Sequence, residues 1–208
     1  MLSPAEYDAF AAAFTVLGRL HIQPADGQTR SDVIGLLHQW PLDSALSQYS
    51  SRGLELLAES AQRAENDDAI ITDQDTLYGI SASAKVPPYE SVHCGQDRLV
   101  FDRQTLEVRQ EYAKLALQAP KYNTEPDDHI GLELDFLGRC CIAALDGHDM
   151  AQELAVSFTK EHIVTWMPAM LAHASQEATT AWLRGVIALT QGALETWFTA
   201  IGLTYPHE

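Results

Sequence analysis

The feature that most constrains the fold is the spacing of apolar residues, which follows the helical period over nearly the whole chain. Tyr7, Phe10, Phe14 and Leu17 lie three or four residues apart and predict one apolar helix face. Ser3-Pro4-Ala5-Glu6 stands before them with the pattern of a capping box, with proline at the first helical position. No segment shows the two-residue alternation of a half-buried strand. We therefore predict an all-α protein of about nine helices.

The same spacing divides the rest of the chain into helices within a single domain, residues 1–208, with a C-terminal subdomain allowed from about residue 148. Pro41, Pro120 and Gly147 end three of the helices, and Pro168 is expected to kink another. The further predicted helices begin with a short one capped by Ser31-Asp32 and a longer one from Asp43 to about Ala64, whose buried residues are Leu46, Leu54, Leu57 and Ala61. A helix from Asn66 to Tyr78 follows, and then one from Asp102 to near Pro120 whose buried face includes Leu106, Tyr112 and Leu115. The last three are a helix that extends to about Leu145, one from Asp149 to about Ser175, and one from Thr179 to Leu203.

One long segment, Gly79 to Leu99, lacks helical spacing. It is rich in glycine, serine and proline, which is typical of a loop. Long loops in compact domains often carry function, so we expect an ordered, functional loop here.

The net charge of -16 restricts the choice of partner. An acidic surface repels the phosphates of nucleic acid and of anionic membranes. A basic ligand or peptide is the partner that the charge favours, although acidity that only maintains solubility would give the same composition.

The cysteines and the N-terminus indicate a cytoplasmic protein. Cys140 and Cys141 are adjacent and point to different helix faces, so with Cys94 they predict reduced, mostly buried thiols. The first ten residues lack the basic and apolar regions of a signal peptide, and no window has eighteen consecutive apolar residues. We expect no leader and no stable membrane insertion.

The sequence lacks the motifs of common enzymes. It has no G-x-S-x-G elbow and no phosphate-binding G-x-x-x-x-G-K-[ST] loop, and no basic context activates its cysteines. His129 and Glu133, four residues apart with Asp128 nearby, are the best metal ligands, but H-E-x-x-H is absent. We expect no enzyme and no metal site, with a metal-dependent hydrolase using Asp128, His129 and Glu133 as the alternative.

The stretch Tyr122 to Leu137, "YNTEPDDHIGLELDFL", predicts a helix start. Thr124 is the predicted cap, Asp127 follows three residues later, and Pro126 lies in the first turn. The residues at helical spacing after it, Ile130, Leu134, Leu137 and Cys141, predict the buried face. A cap accounts for one carboxylate, but not for Asp128 and His129 together.

Three segments together resemble the TorD/DmsD/NarJ family of cytoplasmic chaperones for molybdenum oxidoreductases. Pro88-Tyr89-Glu90-Ser91-Val92 is similar to the family's P-x-E-S-V loop, and Glu125 to Phe136 to its P-x-D-H-[IL]-x-x-E-L-x-F signature. Phe158, Glu161-His162-Ile163 and Trp166-Met167-Pro168 resemble its F-L-x-E-H-L-x-x-W-x-P helix, with Thr159 in place of leucine. Order and spacing agree over roughly residues 77–171.

The resemblance implies a compact helical protein, a monomer or a dimer that exchanges C-terminal helices. It implies binding of the twin-arginine signal peptide of an apo-oxidoreductase of anaerobic respiration until the molybdopterin cofactor is inserted. The implied peptide-binding residues are Asp128, His129, Glu90 and Tyr89, with Ser91, Asp127 and Glu133 beside them.

Two alternatives stay open beside this role. One is a NarJ-like assembly factor for a membrane-bound reductase. The other concerns ligands: guanine nucleotide and the molybdopterin cofactor have been associated with the family, although the sequence shows no phosphate cradle and we expect no cofactor. His129 would give peptide binding a pH dependence near neutrality.

Overall fold

The computed structural model describes residues 2–79 and 84–206, and within these ranges it contains helices and no strand. This confirms the all-α prediction, with ten α-helices in the described ranges where about nine were expected. Two 3₁₀ turns, Leu37–Gln39 and Ser44–Leu46, and one π-helical turn, Thr159–Ile163, supplement them. The α-helices are α1 Pro4–Ile22, α2 Gly27–Gly35, α3 Gln48–Gln62, α4 Asp67–Tyr78, α5 Glu90–Cys94, α6 Arg103–Ala113, α7 Ile130–Leu145, α8 Ala151–Phe158, α9 Met167–Glu177 and α10 Ala181–Ala200.

The chain divides into two compact units. The first unit combines the stretch that ends at Ile22 with Pro88–Met170, and the second combines Gln23–Pro87 with the stretch from Leu171 onward. The expectation of a single domain with a C-terminal subdomain from about residue 148 stays a prediction.

In the first unit, α1 packs along α7 at very short range. A Cβ atom added to Gly18 would lie 2.6 Å from the carbonyl oxygen of Gly131, so the two backbones approach each other where neither residue has a side chain. The predicted apolar face of α1 is buried, and so is the predicted face of α7. This packing fixes the start of α7, which carries part of the predicted site.

In the second unit, α3 and α10 also meet through small residues. Cβ atoms at Gly53 and Gly185 would lie 2.7 Å and 2.8 Å from the Cγ atoms of Leu189 and Leu57. The buried face of α3 is therefore Ser50, Gly53, Leu56, Leu57 and Ser60. Of the predicted face, Leu57 is buried and Leu54 is half-buried, whereas Leu46 is exposed in a 3₁₀ turn and Ala61 faces solvent. The side of α3 that carries Ser50 and Gly53 packs on α10 instead.

The first helix starts as predicted. The Glu6 carboxylate accepts hydrogen bonds from the Ser3 backbone N–H and from Ser3 Oγ, both at 2.7 Å, and the Glu6 N–H donates to Ser3 Oγ at 3.3 Å. These are the reciprocal bonds of a capping box.

Two other predicted helix starts were wrong. Asp26, and not Ser31 or Asp32, caps α2 by accepting from the Thr29 N–H. Helix α7 starts at Ile130 and not near Thr124, and its cap is His129, whose Nδ1 accepts from the Gly131 N–H at 3.0 Å. Asp127 and Asp128 are unavailable as caps of α7 because their carboxylates bond to other segments.

Helix α6 is shorter than predicted. It ends at Ala113, and the chain turns at Ala116, whose φ of 55° lies in the left-handed region, while the Leu117 N–H donates to the Tyr112 carbonyl oxygen at 3.0 Å. Leu106, expected on the buried face, is 55% exposed. The segment from 114 to 129 is thus a second long loop.

The predicted loop from Gly79 to Leu99 contains the short helix α5, and its residues 80–83 lie outside the described ranges. Between α8 and α9 the helical path is broken by the π turn and not by a kink at Pro168, which lies in the first turn of α9. A proline is tolerated there because the N–H groups of a first turn have no partner within the helix.

The free cysteines agree with the prediction for two of three residues. Cys140 and Cys141 are buried, whereas Cys94 is exposed. In the ranges that the structure describes, none of the helices has the length and apolar character needed to cross a membrane.

Candidate functional site

Two of the resembling segments meet backbone to backbone in the first unit. Tyr89 and His129 form an isolated antiparallel bridge. The Glu90 N–H donates to the Asp128 carbonyl oxygen at 3.0 Å, and the Ile130 N–H donates to the Pro88 carbonyl oxygen at 2.8 Å. The rings of Tyr89 and His129 pack edge to face with centroids 5.3 Å apart. The loop before α5 is thereby fixed to the start of α7.

The Asp128 carboxylate caps helix α5 from outside that helix. Its Oδ2 accepts from the Ser91 N–H at 2.7 Å, and its Oδ1 accepts from Thr105 Oγ1 at 2.5 Å. Tyr89, at the N-cap position of α5, makes no side-chain cap bond. Because the first N–H groups of a helix lack partners within it, a carboxylate here satisfies a donor and interacts favourably with the helix dipole. Asp128 is completely buried, so it positions α5 from inside the protein.

Asp127 forms a shielded ion pair with Arg109 of α6. Arg109 Nε and Nη2 donate to the two carboxylate oxygens at 2.7 Å and 3.1 Å, in a bidentate arrangement. This bond raises the pKa of the Arg109 guanidinium. Arg109 also donates to Asn123 Oδ1 at 3.0 Å, and its guanidinium carbon lies 4.4 Å from the centroid of the Tyr122 ring. One arginine therefore holds the 114–129 loop on α6.

Glu90 pairs with His162 of the π turn. His162 Nδ1 and Glu90 Oε2 are 2.9 Å apart, and both side chains are almost fully buried. Burial raises the pKa of Glu90, against the effect of the hydrogen bond with His162. Burial alone would lower the pKa of His162, but the hydrogen bond and charge of Glu90 outweigh it and the pKa is raised. His162 is thus a packed, hydrogen-bonded interior histidine.

Glu133 and Trp166 join the second and third resembling segments. Trp166 Nε1 donates to Glu133 Oε2 at 3.2 Å, and His93 of α5 stacks on Trp166 at 5.2 Å. Burial, followed by the nearby charges of Glu90 and Asp128, raises the pKa of Glu133 well above its ordinary value. The fold therefore favours the protonated form of Glu133 relative to a solvent-exposed glutamate. Its Oε1 has no hydrogen-bond partner among the described residues.

The structure contradicts the predicted titration of His129 near neutrality. Burial lowers the pKa of His129 to about 4, although part of the ring remains accessible. Its Nδ1 accepts a hydrogen bond as the cap of α7, which requires that nitrogen to be unprotonated. His129 is therefore neutral at pH 7, and a pH dependence near neutrality does not come from this residue.

The structure brings all seven predicted site residues into one cluster, with Tyr89, Glu90 and Ser91 against Asp127, Asp128, His129 and Glu133. The sequence did not indicate which residues form hydrogen bonds with this cluster. Thr105, Arg109 and Tyr112 are isolated residues on α6, and such residues match no motif. Tyr112 Oη donates to the Asp127 carbonyl oxygen at 3.0 Å. Asp128, His129 and Glu133 do not form a set with metal-ligand spacing within the described ranges, so the geometry gives no support to the hydrolase alternative.

The sequence of this chain is similar to one family model and to named chaperones. The family model described as "Nitrate reductase delta subunit" matches residues 43–172. The chaperone protein TorD of Vibrio atlanticus (strain LGP32) is 33% identical over 87 residues, which is 39% of this chain and 40% of that protein. TorD of Vibrio cholerae (strain N16961) is 26% identical over 135 residues, 61% of each chain. The matches thus span less than two thirds of the length of these relatives.

A candidate redox enzyme maturation protein from Archaeoglobus fulgidus aligns over 91% of this chain and 92% of its own, with a TM-score of 0.47 and 19% identity. The named relatives are chaperones, in agreement with the prediction that this chain is not an enzyme. Since the family model covers more than half of the 208 residues, the chain belongs to the nitrate reductase delta subunit family, the TorD/DmsD/NarJ family that its three segments resemble.

Proposed function

We propose that this protein is a cytoplasmic maturation chaperone that binds the twin-arginine signal peptide of a molybdopterin-containing oxidoreductase before the enzyme is exported. The observation that carries the proposal is the meeting of three segments far apart in the chain. Backbone bonds join Glu90 to Asp128 and Pro88 to Ile130. The pairs Glu90–His162 and Glu133–Trp166 join both segments to the third. In the proposal, this hydrogen-bonded cluster is the frame of the peptide-binding surface.

The charge of the chain supports a basic partner. A twin-arginine leader combines two guanidinium groups with an apolar segment. A charge-assisted hydrogen bond contributes roughly 1.5–3 kcal/mol, and a micromolar complex needs about -8 kcal/mol. A few such bonds with modest apolar burial reach that value.

The burial of the cluster suggests a division of roles. Asp127, Asp128 and Glu133 are shielded from solvent and already bonded, so we assign them to positioning of the frame. Glu107 and Glu125 are part-exposed and pair with the exposed cations Arg103 and Lys121, at 3.3 Å and 2.6 Å, which a leader arginine would replace. Their charges act on Glu90 and Tyr89, respectively. We assign the contacts with the leader arginines to these two carboxylates, beside Tyr89 and His129.

Fluorescence anisotropy with a labelled twin-arginine leader tests the proposal. We expect micromolar or tighter binding, with an affinity at least tenfold lower for the twin-lysine leader, because lysine lacks the bidentate geometry of arginine. Glu107→Gln and Glu125→Gln should each weaken binding, and Glu55→Gln, an exposed glutamate of the second unit, should not. Equal affinity for both leaders would contradict recognition of the arginine pair.

The family description favours a second candidate, the NarJ-like assembly of a membrane-bound reductase through its N-terminal tail. Strong binding of a tail that lacks the arginine pair would indicate that role. Co-purification from anaerobically grown host cells would identify the client: recovery of an unprocessed molybdenum oxidoreductase supports the leader chaperone. Recovery of neither kind of enzyme would overturn both candidates.

A further inference from the structure

Three side chains outside the predicted site come together in the first unit. One ligand atom each from Glu111, Glu161 and His162 lies within 4.8 Å of the others. Glu111 belongs to α6, whereas Glu161 and His162 are consecutive residues of the π turn. Two carboxylates and one imidazole are donors that divalent metal ions bind in proteins.

The His162 imidazole is buried and is held in place by a neighbouring carboxylate. Only 4% of the residue is exposed. Nδ1 lies 2.9 Å from Glu90 Oε2, so this contact engages only one of the two ring nitrogens. A carboxylate behind an imidazole fixes the ring and leaves the second nitrogen for a ligand, as behind metal-bound histidines.

The charges around the imidazole are predominantly negative. The carboxylates whose charge reaches the His162 ring include Glu90, Glu107 and Glu111, and Glu161 has no ion-pair partner among the described residues. Two cations offset them in part. Lys114 Nζ lies 2.5 Å from Glu111 Oε2, and Arg103 Nε lies 3.3 Å from Glu107 Oε1. A divalent ion would therefore reduce the repulsion among these carboxylates.

The π turn supplies the backbone geometry. The Val164 N–H donates to the Thr159 carbonyl oxygen at 2.9 Å, five residues earlier, so one residue more than usual is accommodated in this turn. Single π turns within helices occur often at functional sites, because they redirect side chains relative to a regular helix. From this turn, Glu161 and His162 lie close to Glu111 of α6.

We propose that Glu111, Glu161 and His162 bind a divalent transition-metal ion of the Zn²⁺ class. Three protein ligands and a solvent ligand would complete a four-coordinate site. Ligand atoms around such an ion lie about 3.3 Å apart, given bond lengths near 2.0 Å, so the carboxylates must move inward. Glu161 is exposed and free to do so, and Glu111 would exchange the exposed Lys114 for the metal. The proposed metal site does not require leader binding, although His162 also belongs to the frame of the proposed peptide-binding surface.

Metal titration of the untagged chain tests the site. After removal of metal with a chelator, Co²⁺ is added at pH 7 while its visible absorption is recorded, and Zn²⁺ binding is measured by calorimetry. We expect one ion per chain with a micromolar or lower Kd, Co²⁺ absorption that Zn²⁺ removes, and no displacement by millimolar Mg²⁺. Absence of Zn²⁺ binding below millimolar concentration, or equal competition by Mg²⁺, would overturn the proposal.

Variants distinguish this site from other carboxylates. Glu161→Gln keeps the shape of an exposed side chain, so it should weaken Zn²⁺ binding at least tenfold without loss of the fold. Glu153→Gln, an exposed glutamate of α8, is the matched control and should bind like the native chain. His162→Gln should abolish the Co²⁺ absorption, with circular dichroism confirming that it remains helical. Unchanged affinity in Glu161→Gln would place any bound metal elsewhere and refute the assignment.

Discussion

Asp128 shows how a single buried carboxylate can organise two segments. Its oxygens accept from the Ser91 N–H of α5 and from Thr105 Oγ1 of α6, and its backbone carbonyl oxygen accepts from the Glu90 N–H. Helix α5 spans only Glu90–Cys94, so it is too short to be stable without such contacts. Sequence motifs suggested a ligand-binding role for Asp128, and the structure adds a positioning role.

Replacement of Asp128 should destabilise the first unit. Asp128→Ala leaves two donors without acceptors in a buried place, and each unsatisfied donor costs about 1–3 kcal/mol. We expect a loss of about 3 kcal/mol in the free energy of unfolding from urea titration, and a smaller loss for Asp128→Asn, which retains an acceptor oxygen. Asp149→Ala, at an exposed position, is the control and should change stability by less than about 0.5 kcal/mol. If Asp128→Ala changed the free energy of unfolding by less than about 0.5 kcal/mol, the role of Asp128 as the cap of α5 would be refuted.

His129 should make stability depend on pH on the acid side. Its pKa is lowered to about 4 in the folded protein, below the ordinary 6.5, so unfolding takes up a proton between these values. The contribution of His129 to the free energy of unfolding is complete above pH 6.5 and is lost as the pH falls toward 4. The slope is about 1.4 kcal/mol per pH unit for one proton.

The variant His129→Gln isolates this contribution. Glu90 and Glu133 have raised pKa values and act in the opposite direction, but they are present in both proteins and their effects largely cancel in the difference. Urea unfolding from pH 4.5 to 6.5 should therefore show a slope smaller by up to about 1.4 kcal/mol per pH unit in the variant. Parallel curves would mean that His129 has an ordinary pKa.

At the level of elements, the contact of α1 with α7 depends on glycine. The carbonyl oxygen of Gly131 lies 2.6 Å from a Cβ built on Gly18, and the carbonyl oxygen of Gly18 lies 2.5 Å from a Cβ built on Gly131. Backbone atoms cannot move aside as a side chain can. This approach places the start of α7, and hence Glu133, relative to α1.

A series of glycine-to-alanine variants should show graded effects on stability. Gly18→Ala forces α1 away from α7, so we expect a loss of about 1–3 kcal/mol. Gly138→Ala, whose nearest neighbour would be Thr15 Oγ1 at 3.0 Å, should cost less. Gly35→Ala meets nothing within 4 Å and should be neutral or stabilising by up to about 1 kcal/mol. Thermal unfolding gives the order, and equal Tm values for Gly18→Ala and Gly35→Ala would contradict the close approach.

At the level of the whole molecule, the net charge of -16 creates a field that extends beyond any single contact. Such a field attracts basic peptides and increases their association rate, and salt screens it over about 10 Å at 0.1 M. The charge alone does not select one peptide. Selection requires the local carboxylates of the proposed surface.

Salt should therefore weaken leader binding through the association rate. Between 50 and 500 mM NaCl we expect at least a tenfold decrease in the association rate of the twin-arginine leader, measured by stopped-flow fluorescence. A leader with both arginines replaced by glutamine has less positive charge, and its rate should depend less on salt. If the two leaders showed the same salt dependence, long-range attraction of the arginine pair would be excluded.

The sequence alone determined the fold class, most helices, the buried faces of α1 and α7 and the family, because these follow from local periodicity, local caps and motif spacing. It also identified seven residues that lie in one cluster. Only the tertiary structure decided that His129 and not Thr124 caps α7, that Asp128 caps α5, and that Arg109 pairs with Asp127. These outcomes depend on which segments meet, and a carboxylate bonds to the donor that is nearest in space, whatever its position in the chain. The same reason hid the grouping of Glu111 with Glu161 and His162, because α6 and the π turn are far apart in the chain and no motif joins them.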